Sequence, residues 1–129
     1  MSHNCASLAQ AYYAAVGKKD VRGIEKYLDP KVQVIGPLGR AIGREAVLEA
    51  TKKFTEMFET LSARLVLGSE SHAMVVYDLQ CKPPIGNFSA SNLMTFEEGV
   101  ITQIELFYDP RPLMDKKEEI FSSNFTESN

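Results

Sequence analysis

What this chain of 129 residues has little of narrows its identity before any motif is sought. Its two cysteines, Cys5 and Cys81, are too few for the disulfide framework that staples small secreted domains. Cys5 lies close to the amino end, so a bridge to Cys81 is not expected and both read as reduced thiols. No apolar run approaches the ~18 residues needed to span a bilayer, which argues against a membrane partner. The opening "MSHNCASLAQ" has no basic region followed by an apolar stretch, so it does not read as a signal peptide, and the expected setting is the cytoplasm. Positive charge is not in excess either: the formal net charge is −3 and the sequence pI is near 5.4. That balance excludes the dense cationic surface required to bind nucleic acid. Metal-ligand spacing, a glycine-rich phosphate loop and a nucleophile motif are all missing, so neither a metal nor a cofactor is expected. There is no internal repeat and no low-complexity segment.

What is present reads as one globular domain over residues 1–129, with a core from 4 to 112 and a partly flexible tail from 113 to 129. Hydrophobic residues make up 44% and charged residues 24%, an ordinary balance for a packed fold. Leu8, Ala11, Tyr12, Ala15 and Val16 recur at helical spacing and predict a first helix from Asn4 to Val16, ended by Gly17 and two lysines. Asp20 can cap a second helix carrying Val21, Ile24, Tyr27 and Leu28, which "DP" at Asp29 and Pro30 stops. Lys31 to Ile35 is a short strand, "GPLG" turns the chain, and a third helix is expected from Arg44 to Thr60. Its apolar stripe is Val47, Ala50, Phe54, Met57, Phe58 and Leu61.

After Leu61 the period changes from helical to two. "ARLVLGS", "HAMVVYDLQCK", "NFSASNLMTFE" and "VITQIELFYD" follow one another across short turns, the pattern of an antiparallel meander. A further helix is expected at Asp115 to Phe121. Helices first and strands afterwards give an α+β fold, in which a curved, antiparallel or mixed sheet wraps three helices.

"AYYAAVGKKDVRGIEKYLDPKVQVIGPLG" (11–39), "GREAVLEATKKFTEMF" (43–58) and "MTFEEGVITQIELFYDP" (94–110) carry a resemblance. They are similar to the first two helices and first strand, the third helix and the final hairpin of the cone-shaped superfamily of nuclear transport factor 2, ketosteroid isomerase and the SnoaL-like polyketide cyclases. The resemblance covers residues 4–112 and implies a cone-shaped α+β barrel with a central pocket. Ketosteroid isomerase uses an Asp base and an oxyanion hole of a Tyr and a protonated Asp. By resemblance Tyr12 falls at the oxyanion tyrosine, Asn92 at the protonated acid and Gly36 at the base. Two hydrogen-bonding groups survive in type and the proton acceptor does not, so steroid isomerisation is not supported.

Tyr12 shares the buried side of its helix, whereas Tyr13, one position round, is expected nearer the edge. Asn92 has the strand parity of Met94 and Phe96, so its amide either finds a partner or lines a cavity; facing the cavity, it could polarise a carbonyl. The replacement bases are Asp78 and Asp109. Alignment turns Asp78 inward, while the more apolar alternate set Val75, Tyr77 and Leu79 turns it outward. Asp109 ends the last strand before a proline, where an acid is commonly a strand terminator and turn former; the resemblance keeps it a candidate, because the SnoaL-like cyclases use a strand acid as general acid and base. His72 follows the turn "GSES" and is expected to be exposed, and Cys81 is expected to be a plain strand residue. Met57, Met74, Met94, Phe54, Phe58, Phe96 and Tyr108 read as core residues that would also suit a greasy cavity.

Three functions are compatible with these residues. One is a cofactor-free isomerase, cyclase or hydrolase working by general acid–base chemistry. The second is a non-catalytic domain that binds a small hydrophobic or aromatic ligand. The third is an adapter that uses the outer face of its sheet. The resemblance also implies a homodimer through the sheet, consistent with the mixed exposed set Leu93, Thr95, Gln103, Glu105 and Phe107.

Overall fold

The computed structural model describes residues 4–116. Helix α1 (Ala6–Gly17) buries Ala9, Tyr12, Tyr13 and Val16, an i, i+3, i+4, i+7 stripe. The Asn4 side chain accepts the Ala6 N–H at 2.8 Å, satisfying one of the orphan donors of the first turn. Asp20 caps α2 (Val21–Glu25) through Gly23 N at 3.1 Å. That helix stops after little more than one turn, short of the Tyr27 and Leu28 expected on it. Pro30 forces Asp29 to be extended, so strand β1 (Leu28–Gly36) begins early. Pairing of β1 lapses between Leu28 and Gln33, and Pro30 sits in that lapse, where its missing N–H breaks no ladder bond.

The "GPLG" turn is a hairpin rather than a simple bend: β2 (Gly39–Ile42) folds back antiparallel on β1. Four residues are too few to show a period, which is why the sequence conceals this strand. Helix α3 (Arg44–Thr55) follows Gly43, whose φ of 93° is open to glycine and strained for other residues. It ends five residues before the expected Thr60, and Phe58 opens β3 (Phe58–Gly68) instead. Phe54 and Phe58 are spaced for one helix face, but Phe58 pairs with Cys81 in the sheet, and sheet pairing overrides the local period. Strands β4 (His72–Cys81), β5 (Asn87–Glu97) and β6 (Val100–Phe107) complete the expected meander. A 3₁₀ helix, Arg111–Lys116, closes the described chain. The helix expected at Asp115 to Phe121 lies largely outside the described residues.

The sheet order is β2-β1-β6-β5-β4-β3, antiparallel throughout except for the parallel pair β1/β6. It is curved and unclosed, with β2 and β3 as its two edges. Pairing irregularities in β3 and in β6, the latter at Thr102, supply local bends. The chain leaves β2 at one edge and re-enters at β3 on the other, so α3 must cross the concave face. There α3 packs on β1, β2 and β3 while α1 packs on β3 and β4. Strand parity then sorts the side chains: Ala73, Val75, Tyr77, Leu79 and Cys81 of β4 face inward and are buried. Met74 has the opposite parity and is 40% exposed, so the expectation of a core Met74 is corrected. Cys5 is not at a loose end either; it is buried and its thiol donates to Glu70 O at 3.3 Å. Both cysteines are free. No helix among the described residues is long and apolar enough to cross a membrane.

The start of α1 is pinned over the end of β3, where Asn4 Nδ2 donates to Gly68 O at 2.8 Å and Cys5 N to Ser69 O at 2.8 Å. A Cβ at Gly68 would collide with the Asn4 side chain and the Ala6 backbone N. Gly68→Ala is therefore expected to destabilise the fold by about 1–3 kcal/mol, read as a lower Tm, whereas Gly99→Ala meets no neighbouring atom and costs only its backbone strain at φ 82°.

Candidate functional site

Between the helices and the concave face lies a cavity of about 80 Å³. Phe88, Ala90 and Asn92 of β5 line it, as do Tyr77 and Leu79 of β4 and Ile104 and Leu106 of β6. Met94 and Phe96, next along β5, are buried without lining it. On β5 the lining therefore runs as a shaft from Phe88 to Asn92, roughly 13 Å of extended chain, with Asn92 at its blind end on that strand, while on β6 Ile104, opposite Met94, still lines it. Tyr12, Tyr13 and Val16 form the α1 wall, and Val47, Ala50, Thr51 and Phe54 the α3 wall. Tyr108 and Leu113 line its other end, beside Phe88.

The blind end is polar. Asn92, 2% exposed, sits between two phenols. Tyr77 Oη donates to Asn92 Oδ1 at 3.1 Å, and Asn92 Nδ2 donates to Tyr13 Oη. The rings of Tyr13 and Tyr77 stack with centroids 5.3 Å apart, and Tyr12 meets Tyr13 edge-on at 5.0 Å. An amide placed between two hydroxyls offers oxygen to one and N–H to the other. The hydroxyl on the oxygen side gives its proton away; the one on the nitrogen side accepts and keeps its own. Turning the amide over exchanges the two roles without changing the count, so one phenolic O–H remains for whatever enters the shaft.

None of the lining residues is Asp, Glu, His, Lys, Arg or Cys. Burial lifts the Tyr12, Tyr13 and Tyr77 phenols well above their ordinary range and pushes Tyr108 up to about 12. The Thr51 side chain beside Tyr12, and the Asn92 amide at Tyr13 and Tyr77, offset this only in part. At neutral pH the cavity thus holds hydroxyl donors and no charge.

Of the sequence candidates, the structure brings Tyr12, Asn92, Phe54 and Tyr108 to the shaft. Phe58 is 1% exposed, packed on Phe54 at 5.2 Å, and does not line it because β3, not α3, carries it. Met94 and Phe96 lie beyond the blind end. Gly36 is absent from the lining because Leu106 covers it: a Cβ there would stand 3.1 Å from Leu106 Cδ1. Asp78 points to the outer face by strand parity, where it accepts from Ser89 Oγ at 2.6 Å and meets Arg64 at 3.4 Å. Asp109 is exposed and held in a fork by Arg111, with Nη2–Oδ2 at 2.6 Å, which keeps its carboxyl below the usual range. Neither acid reaches the cavity. His72 is exposed on the outer face, and Cys81 is a buried strand residue whose thiol burial raises.

Sequence reasoning missed Tyr13, Tyr77 and Leu113. Tyr13 is 5% exposed, buried rather than at an edge, because the curved sheet reaches round α1 on that side. Tyr77 had its signal in the inward parity it shares with Val75 and Leu79, while Leu113 follows the last strand and had none.

The SnoaL-like domain family matches residues 9–104. A nuclear transport factor 2-like protein of unknown function from Cytophaga hutchinsonii is similar in structure (TM-score 0.71, 23% identity, 82% of this chain and 90% of that one). So is a candidate ketosteroid isomerase from Kribbella flavida (TM-score 0.70, 16% identity, 81% and 76%). A candidate polyketide cyclase from Sinorhizobium meliloti matches with TM-score 0.70 at 16% identity over 78% and 93% of the two chains. Identities at this level establish a shared fold. No curated protein sequence matches the chain.

The buried phenols set an alkaline limit on stability. The folded state holds these protons more tightly than the unfolded chain, whose phenols titrate near 10. Their contribution is whole below pH ~10 and is lost as pH rises above it, at about 1.4 kcal/mol per pH unit for each phenol that ionises only on unfolding. Stability should therefore fall steeply above pH ~10, with phenolate absorbance appearing together with loss of the far-ultraviolet circular dichroism, and Tyr77→Phe should shallow the slope. Full phenolate absorbance in a chain that remains folded would contradict the burial described.

Proposed function

This chain belongs to the SnoaL-like domain family, and from that premise we propose that it is a ligand-binding domain for a small, neutral, hydrophobic or aromatic molecule carrying an acceptor oxygen. One observation carries the reading: the lining is mostly apolar and carries no charged side chain, and its one hydrogen-bonded polar cluster, Asn92 between Tyr13 and Tyr77, lies at the blind end. A carbonyl oxygen seated there would take the phenolic proton left over by the Asn92 pair. A charged ligand would be desolvated with no counter-charge to meet it, at a cost of several kcal/mol.

Acid–base catalysis is the less supported alternative. A general base must reach the proton it removes, directly or through one water, and Asp78 and Asp109 lie outside the shaft. Phenols held this far above neutral pH are donors, not bases. The names carried by the isomerase-like and cyclase-like structures thus bring the fold here without their chemistry. The two free thiols suit a reducing compartment, such as the cytoplasm expected from the sequence.

Three matched probes test the reading by calorimetry and ring-proton NMR: acetophenone, ethylbenzene and benzoate. Acetophenone should bind about fivefold or more tighter than ethylbenzene, the worth of one net hydrogen bond, and should shift the Tyr13 and Tyr77 ring signals. Benzoate binding as tightly as the ketone would defeat the proposal.

A second reading, homodimerisation through the outer face, has its own support. Leu67, Met74 and Leu93 stand in register across β3, β4 and β5, and Leu65, Val76, Ser91 and Phe107 form the neighbouring row. Leu65, Leu67, Met74 and Phe107 are 40–59% exposed, which makes a contiguous apolar patch that a second copy would cover. Light scattering should give twice the 14.4 kDa chain mass, and Leu67→Glu with Met74→Glu should halve it. A monomeric parent at tens of micromolar would refute this reading.

A further inference from the structure

The end of the shaft beside Phe88 and Tyr108 is built differently from its walls. Leu38 and Leu113 form a small buried cluster separate from the main core, flanked by Met57, Ile85, Phe88 and Tyr108. Leu38 comes from the β1–β2 turn, Met57 from the α3–β3 connection and Ile85 from the β4–β5 connection. Leu113 comes from the 3₁₀ helix and is 3% exposed, although the sequence assigns it to the tail. Among the described residues no hydrogen bond ties that helix to the sheet or to α3. Leu113 N donates to Pro110 O at 2.9 Å, and Arg111 bonds only Asp109, both within the same segment. Pro110 and Pro112 fix two φ angles in five residues, which stiffens the segment into an arm. Among the described residues of this arm Leu113 is the one fully buried side chain, and it lines the shaft.

We propose that Leu113 is the lid residue of the cavity and its specificity-determining residue: ligands pass between Leu38 and Leu113, polar end first, and the docked leucine limits how long a ligand the closed shaft accepts. The orientation rests on the binding reading above, because the donors sit at the blind end; the access route does not. Undocking one buried leucine shifts a closed–open equilibrium by roughly 10- to 100-fold. The closed state therefore dominates while opening remains frequent enough for exchange.

Access is read without any ligand through a reporter thiol. Ala90, 6% exposed, lines the shaft, and Ala90→Cys is labelled with methyl methanethiosulfonate and followed by peptide mass spectrometry. Leu113→Ala should speed that labelling about tenfold or more, and Leu113→Met should restore the slow rate. Cys5, buried at the start of α1 and absent from the shaft lining, reports opening elsewhere in the fold and should be labelled no faster. Ile101→Val, a core truncation beyond the blind end, should leave the labelling rate of the reporter thiol unchanged. Equal acceleration at Cys5, or labelling within twofold of the parent in Leu113→Ala, would overturn the lid. Length selection is read by comparing acetophenone with 4′-butylacetophenone: the parent should favour the shorter ketone, and Leu113→Ala should narrow the preference at least fivefold. An unchanged preference would remove Leu113 as the length filter. Should acetophenone fail to bind at all, the binding reading falls while the thiol measurement still decides the lid.

Discussion

Asn92 brings two donors and an acceptor to a place walled by isoleucine, leucine and phenylalanine, and an amide left unpaired there would cost several kcal/mol. Much of the site follows from meeting that demand. A partner must come from the neighbouring strand, which puts Tyr77 next to Ala90 on β4 with its hydroxyl at the amide oxygen. A second must come from above, which fixes the rotation of α1 so that Tyr13 faces the sheet. The two rings then stack, and the stack occupies the width that α1 would otherwise fill with aliphatic side chains. Below Asn92 the core is solid, with Met94 and Val75 both fully buried. Above it the apolar walls never quite meet, and the shaft is the space that remains.

Charge is arranged with equal economy. The two carboxylates that could have supplied catalysis stand outside, each beside an arginine: Asp78 near Arg64 and Asp109 in the fork of Arg111. Exposed pairs of this kind add little stability, so they read as solvated surface rather than as a buried relay. The interior is accordingly indifferent to pH across the neutral range, and the polarity it has is that of hydroxyls and one amide.

The α+β order, the meander and the inward parity of Asn92 were legible because each follows from a period repeated over many residues. Elements decided by tertiary pairing were not. The end of α3 could be read either way, since Phe54 and Phe58 fit a helix face as well as a strand start, and only Cys81 across the sheet settles it. β2 is too short to have a period at all. At the site, Tyr12 drew attention through the isomerase resemblance, yet the α1 phenol bonded to Asn92 is its neighbour Tyr13. Helical spacing puts Tyr12 on the buried stripe and Tyr13 nearer its edge, and it cannot say which hydroxyl meets the amide. Leu113 was invisible for a different reason: its burial depends on a turn in another part of the chain, at Leu38.

Leu106 pressed against Gly36 has a consequence for descent. A side chain at position 36 would stand 3.1–3.4 Å from the Leu106 side chain, so an acid at the end of β1 requires that leucine to give by a few tenths of an ångström. Positions 36 and 106 are therefore coupled: what the end of β1 can carry depends on how far the residue opposite can move, and the two are expected to change together rather than independently.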